Sequence, residues 1–521
     1  MPDAPSGPKA ADAKRIADGY AFQGPALEFG SVVLGGAAYP DAHIRVPLST
    51  LNRHGLIAGA TGTGKTKTLQ VLAEQLSDAG VPVVVADVKG DLSGLSQAGT
   101  SNDKITQRVK DTGDDWAATA YPVEFLALGG VGTGVPLRAT MTSFGPTLLS
   151  KVLGLNDTQE SSLGLVFHYA DSAGLALLDL KDLRAVIQYL VSDEGKADLA
   201  SLGGLSSATA GVILRELIGL SDKGGDVFFG EPEWETKELL RTSGDKGVIS
   251  AIELTNLQDR PQLFSTFLMW LLADLFHELP EVGDVDKPKL VFFFDEAHLL
   301  FEGASKAFLD AVTQTVRLIR SKGVGIFFVT QNPKDVPDDV LGQLGNRVQH
   351  ALRAFTPDDA AALAKAVKTY PKTKDYDLSE DLTQLGTGEA IITVLSETGA
   401  PTPVAWTRLR PPRSLMGQIE ASAQQQAVAS SPLQATYGAA VDRESAYEKL
   451  AAKLAPAPKG DDAPKQDAPA EQHDRGGKEA AAGGVLGGLL GSSAFKSFTR
   501  SAASALGREI TRGVFGVRKR R

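Results

Sequence analysis

Three short runs are apolar at every position rather than at alternate ones: Val83-Val84-Val85-Ala86, Leu290-Val291-Phe292-Phe293-Phe294 and Ile326-Phe327-Phe328-Val329. Strands buried on both faces read this way, as in a parallel sheet covered by helices. Leu56–Ala58, Val248–Ile252, Arg347–Phe355, Ala390–Val394 and Val404–Leu409 extend the set, and helical or turn-rich sequence separates them. Strand and helix in alternation predict an α/β fold, a three-layer sandwich around one sheet.

The pattern is interrupted once. From about residue 143 to 240 the apolar positions follow helical spacing, as in Leu148–Leu153 and Leu183–Leu190, and few strands are expected. This reads as a helical insertion dividing a core at 51–142 from its second part at 241–413. Before the core, Leu27–Phe29, Ser31–Leu34 and His43–Val46 suggest a small β-element over 21–50, and the Ala/Pro/Gly-rich residues 1–20 are expected to be disordered. After it, a C-terminal helix is expected at 414–454. Residues 455–484 are too poor in apolar side chains to fold alone and read as a linker. Phe495, Phe498, Ala502, Ala505, Leu506 and Ile510 then recur at helical spacing among Lys496, Arg500, Arg508 and Arg512, making 485–521 a flexible, basic amphipathic tail.

With 521 residues, 42% of them hydrophobic, the chain can bury two or three domains. No run approaches the roughly 20 apolar residues of a membrane span. The N-terminus lacks an apolar signal region and the chain has no cysteine, so a cytoplasmic protein without disulfides is expected. A net charge of −10 argues against a surface basic all over, so DNA binding gains no support from bulk charge, although a local basic patch or pore stays open. Without cysteine, and with histidines at no metal-ligand spacing, Mg²⁺ held with a nucleotide is the only metal expected.

The chemistry begins at Gly59-Ala60-Thr61-Gly62-Thr63-Gly64-Lys65-Thr66, which satisfies GxxxxGK[ST] between a strand and a helix. Glycines let the backbone N–H groups curl around a phosphate at the positive end of the helix. Lys65 would reach the β/γ-phosphates, Thr66 would offer its hydroxyl to Mg²⁺, and Lys67 would complete the binding run. A glycine-rich turn without ligand would not require Lys and Thr after the last glycine.

A second motif follows the apolar run 290–294, where Asp295 and Glu296 stand at a strand tip. Asp295 would hold Mg²⁺ and Glu296 would orient and polarise the attacking water; the bland alternative is an acidic pair capping the next helix. Gln331 ends the neighbouring strand, either sensing the γ-phosphate or simply satisfied there. Asp87, Lys89 and Asp91 lie at another strand tip, either touching water or metal or capping their own loop. Arg317, Arg320, Arg347 and Arg353 are candidates for an arginine acting on a neighbouring subunit's nucleotide, or for surface ion pairs. His298 completes a DEAH string, whose spacing from the phosphate loop differs from that of two-domain helicases.

Asn52-Arg53-His54, the phosphate loop, Asp87-Val88-Lys89-Gly90-Asp91-Leu92-Ser93-Gly94, Phe294–His298, Thr330-Gln331-Asn332-Pro333 and Leu344-Gly345-Asn346-Arg347 together resemble the YjgR-type proteins of the HerA/FtsK group, over roughly Leu34 to Arg413. The resemblance implies a RecA-like P-loop NTPase core of the additional-strand type. Lys65, Thr66, Asp295, Glu296 and Gln331 would be its phosphate, Mg²⁺, water and sensor residues, and Arg320 its arginine finger acting across a subunit boundary. Full-length HerA-like motors are hexamers with an N-terminal β-barrel, of which the segment before Asn52 can supply only a fragment. The expected activity is Mg²⁺-dependent hydrolysis of ATP or another NTP. The alternatives are a hexameric DNA translocase, and a nucleotide-gated interaction protein or stand-alone triphosphatase acting without DNA.

Overall fold

The computed structural model describes residues 8–454, apart from 202, 284 and 303–305. The linker and the basic tail expected beyond 454 lie outside the described residues, as do residues 1–7. Twelve of the described strands form one sheet: β1 (Ala26–Leu34), β2 (Ala37–Pro47), β3 (Gly55–Ala58), β4 (Val83–Asp87), β5 (Val123–Leu128), β6 (Val135–Leu137), β7 (Ile249–Glu253), β8 (Leu290–Phe294), β9 (Val324–Thr330), β10 (Asn346–Gln349), β11 (Glu389–Thr393) and β12 (Ala405–Leu409). Their order is β2-β1-β12-β11-β10-β3-β9-β8-β4-β7-β5-β6. From β10 to β6 every pair is parallel, and β11, β12, β1 and β2 continue the sheet antiparallel.

One strand, β9, intervenes between β3, which leads into the phosphate loop, and β8, which ends in the acidic pair. That is the arrangement the additional-strand type implies. The all-apolar runs are explained by two covered faces. Val84, Ala86, Phe292 and Phe294 face one core, shared with the insertion, while Val83, Val85, Val291 and Phe293 face the other, shared with the helix after the phosphate loop. Between β6 and β7 the chain forms the helices Met141–Val152, Asp157–Ser172, Leu180–Val191 and Ser207–Asp222, whose apolar sides join the first core.

Several expectations need correction. Residues 8–18, expected within a disordered terminus, form helix α1 (Pro8–Asp18), whose Ala13 and Ile16 are wholly buried. Alanine-rich composition reads as loose, yet alanine is the best helix former and these side chains lie on the β1–β2 hairpin. The expected small β-element is that hairpin; it does not stand apart, because β1 pairs with β12 and extends the main sheet. The strand expected over Arg347–Phe355 ends at Gln349, where the backbone turns to meet the phosphate loop. The expected helix at 414–454 is three shorter ones, Ala421–Ala429, Gln434–Tyr437 and Ala446–Leu454, broken around Pro432 and Gly438. Strands β5 and β6 were not legible in a stretch punctuated by Gly129, Gly130, Gly132 and Gly134.

Candidate nucleotide site

Helix α2 (Lys65–Asp78) begins immediately after the glycine-rich loop, so its first N–H groups have no intrahelical acceptor and point out at the tip of β3. Gly59, Gly62 and Gly64 have φ of 153°, 79° and 113°, which L side chains rarely adopt. The loop is braced from outside: Gly59 N–H donates to Thr330 O (3.2 Å), Ala60 N–H to Ala351 O (2.8 Å) and Gly388 N–H to Thr63 O (2.9 Å). Thr63 Oγ1 donates to Ala60 O at 2.7 Å and Lys65 Nζ to the same oxygen at 3.2 Å. Burial lowers the pKa of Lys65 against the opposing pull of Glu296. Thr61 is exposed, Thr66 half-buried at the second helical position, and the Lys67 side chain leans away to Gln70 Oε1 (3.1 Å), so any share it takes in phosphate binding falls to its backbone N–H.

Beyond β8, Asp295 and Glu296 are both buried, and Asp295 Oδ2 has no hydrogen-bond partner. Burial, reinforced by the charge of Glu296, raises Asp295 to about 7. Glu296 has φ 49°, in the left-handed region. Its burial favours the neutral form, but the ion pair with Lys89 and the nearby His298 and Lys65 outweigh this, and its pKa falls below the ordinary carboxyl value. His298 Nδ1 stands 3.3 Å from the other carboxylate oxygen.

Of the two roles expected of the loop after β4, the structure shows the capping one, at Asp87. Asp87 caps it, accepting from the N–H groups of Lys89 (3.2 Å), Gly90 (2.7 Å) and Leu92 (2.9 Å). Lys89 instead reaches the acidic pair, and Asp91 keeps one buried oxygen without a partner. Gln331 follows the last residue of β9, exposed at the tip between the phosphate-loop strand and the acidic strand.

The arginines are not gathered here. Arg317 and Arg320 precede β9 and Arg347 is the second residue of β10, at the opposite edge of the sheet from the strand tips. At about 3.3 Å per residue, β9 puts Arg320 roughly 20 Å from Gln331. Arg353 is exposed near the tips, its guanidinium 6.0 Å from the Phe355 ring. Asn52-Arg53-His54 and Asn346 also lie at that opposite edge, where His54 and Asn346 serve the fold: Asn346 Nδ2 donates to Thr50 O and His54 O, while buried His54 Nδ1 accepts from Ile326 N–H. Sequence reasoning missed His350, wholly buried beneath the loop with Nε2 2.8 Å from Thr68 Oγ1. No short motif contains it.

Residues 34–521 match the family model described as "Helicase HerA-like C-terminal". The chain belongs to that family. Among curated HerA-like relatives, the DNA double-strand break repair helicase HerA of Pyrococcus furiosus is 24% identical over 405 residues, 70% of this chain and 67% of its own length. The HerA of Saccharolobus solfataricus is 20% identical, covering 75% and 71%. A probable helicase of Methanocaldococcus jannaschii is 29% identical over 30% of each chain. The fold is similar to that of the bacterial conjugative coupling protein TrwB, with a TM-score of 0.50 at 16% identity, covering 79% of this chain and 95% of that one. The HerA-like core is therefore an α/β P-loop NTPase fold, as the motifs imply. No helix among the described residues is long and apolar enough to cross a membrane.

Proposed function

We propose that this HerA-like chain is a Mg²⁺-dependent ATP phosphohydrolase. The observation that carries the reading is the buried Asp295 carboxylate oxygen without a partner, beside Glu296 and one strand away from the phosphate loop. Backbone N–H groups of residues 61–67 would take the phosphates, Lys65 the β/γ oxygens, and Asp295 with Thr66 would hold Mg²⁺. Mg²⁺ bound with the nucleotide would neutralise charge on the transferring phosphate. The oxygen of water bonds to the γ-phosphorus as the bridging bond to the β-phosphate breaks; its proton passes to Glu296, and ADP leaves with the bridging oxygen. Gln331 would align that water without adding charge.

Phosphate release from ATP tests this. Glu296→Gln should retain nucleotide binding and lose about 100-fold or more in turnover, the usual weight of a general base. Undiminished turnover would remove Glu296 from the reaction.

A second reading, a DNA translocase, is favoured by the relatives named as DNA repair helicases. It predicts turnover stimulated by DNA with steep salt dependence. Arg320, remote from its own loop, would then serve a neighbouring copy in a ring. DNA-independent turnover by a monomer would instead indicate a stand-alone triphosphatase or switch and would remove Arg320 from the reaction.

A further inference from the structure

One cation beside the phosphate loop has no carboxylate of its own. Arg108 lies on α3 (Asp103–Thr112), a helix fixed by its cap, Asn102, which accepts from Ile105 N–H at 3.0 Å, and by the burial of Ile105. Its half-buried guanidinium donates to two backbone carbonyls, Gly388 O through Nη1 at 3.0 Å and Thr387 O through Nη2 at 2.9 Å. The two acids that attract it are committed elsewhere: Asp111 and Glu389 are each ion-paired with Arg408 at 2.7 Å. Arg108 forms no ion pair among the described residues. Burial, followed by the repulsion of Arg408, lowers its pKa.

What the guanidinium holds is the brace of the phosphate loop. Gly388 N–H donates to Thr63 O at 2.9 Å, and Gly388 packs on Gly64, where a Cβ would fall 3.3 Å from Gly388 N and 3.4 Å from its Cα. On the other side, a Cβ on Gly388, whose φ is 74°, would fall 3.2 Å from Arg108 Nη2. Gly388 is thus a single layer of backbone between the guanidinium and the residues that precede Lys65. Glu389 fixes the same turn, accepting from Gly386 N–H at 3.0 Å.

A neutral donor would satisfy Thr387 O and Gly388 O without burying charge. A half-buried cation lacking a counter-ion is costly to keep, and this one stands one backbone layer from a loop shaped for a polyanion. Charge-assisted bonds hold the turn more tightly than neutral ones would, and phosphates in the loop supply the missing counter-charge across that layer.

We propose that Arg108 is a positioning residue for nucleotide binding, which through Gly388 holds Thr63 and Gly64 in the curl that receives the phosphates. The inference rests on the nucleotide-binding half of the reading above and adds a residue that no motif contains. Arg108 touches neither phosphate nor water in this role; it acts through the loop.

The test uses the full chain with Arg108→Met and Arg108→Lys. Titration with a fluorescent ADP analogue, well below the melting transition of each variant, gives the affinity of the folded chain, and phosphate release from Mg-ATP gives kcat and KM. Arg108→Met should weaken analogue binding and raise KM about three- to tenfold, as lost pre-organisation does. Its kcat at saturating ATP should stay within about twofold, because the residues that reach water and metal are untouched. Arg108→Lys, which keeps the charge and can still donate to a carbonyl, should fall between Arg108→Met and wild type. An Arg108→Met chain that melts earlier yet binds the analogue like wild type has lost a fold contact only and overturns the proposal. So does a kcat that falls while affinity holds, or an Arg108→Lys chain no tighter than Arg108→Met. Should Arg108→Met lose its cooperative melting transition, Arg108→Gln is read by the same criteria. If wild type itself does not bind the analogue, the nucleotide reading fails and this inference with it; if wild type binds yet releases no phosphate, only hydrolysis fails and the affinities still decide Arg108.

Discussion

Gly59 lies directly on His350: a Cβ on the glycine would fall 2.4 Å from His350 Cβ and 3.1 Å from its backbone. The first glycine of the phosphate loop is thus required by packing as well as by its φ of 153°. His350 is in turn tied to Thr68 of α2, so loop, helix and β10 form one rigid bracket. Burial first, then the charge of Lys65, hold His350 down to about 3, and it stays neutral at physiological pH. Gly59→Ala should destabilise the fold by about 1–3 kcal/mol, the cost of overpacking a filled core, and weaken nucleotide binding with it. Thermal melting and titration with a fluorescent nucleotide check both effects.

Glu74 of α2 anchors the segment after the last strand, accepting from Arg413 N–H (2.8 Å), Ser414 N–H (2.9 Å) and the Ser414 hydroxyl. It is only 2% exposed. Glu74→Ala leaves these donors buried without an acceptor and should cost about 2–4 kcal/mol in denaturant unfolding. Glu74→Gln, which keeps an acceptor, should cost less. Equal losses would refute the hydrogen-bond account.

Asp87 and Glu253 are register partners at the tips of β4 and β7. Burial, then the charge of Glu253, raises Asp87 to about 7; burial raises Glu253 to about 7 against an opposing hydrogen bond with Gln424. Both carboxyls hold their protons more tightly folded than unfolded. The native chain therefore keeps protons that the unfolded chain releases, and stability falls as pH rises from about 4 to 7. Glu253→Gln should flatten that decline and make the nucleotide-free chain more stable than wild type at pH 8, by up to about 3 kcal/mol. Melting curves across pH decide it; parallel curves would show that Glu253 does not titrate in this window.

Asn346 is 1% exposed and its amide links Thr50, His54 and Leu395 at the edge of the sheet opposite the nucleotide site. Asn346→Ala should lower stability by about 2–4 kcal/mol while leaving nucleotide affinity of the folded fraction within about twofold. A selective loss of affinity, with the melting temperature unchanged, would contradict this structural role.

The sequence by itself determined what short windows encode. Glycine, lysine and threonine spacing specifies the curl from Gly59 to Thr66, and an apolar run ending in acids specifies Asp295 and Glu296 at a strand tip. Runs apolar on both faces specify a sheet covered by helices, because only burial on each side tolerates them. The motif set also carried family membership, although His54 and Asn346 within it turned out to serve the fold. Tertiary structure alone decided how distant segments meet. It joined the N-terminal hairpin to the main sheet, drew the chain after Gln349 under Gly59, and split two similar-looking polar residues, Asp87 and Lys89, between capping a loop and holding a carboxylate. The physical reason is range: backbone conformation is written in neighbouring residues, whereas close packing and the pairing of buried charge depend on partners hundreds of residues away.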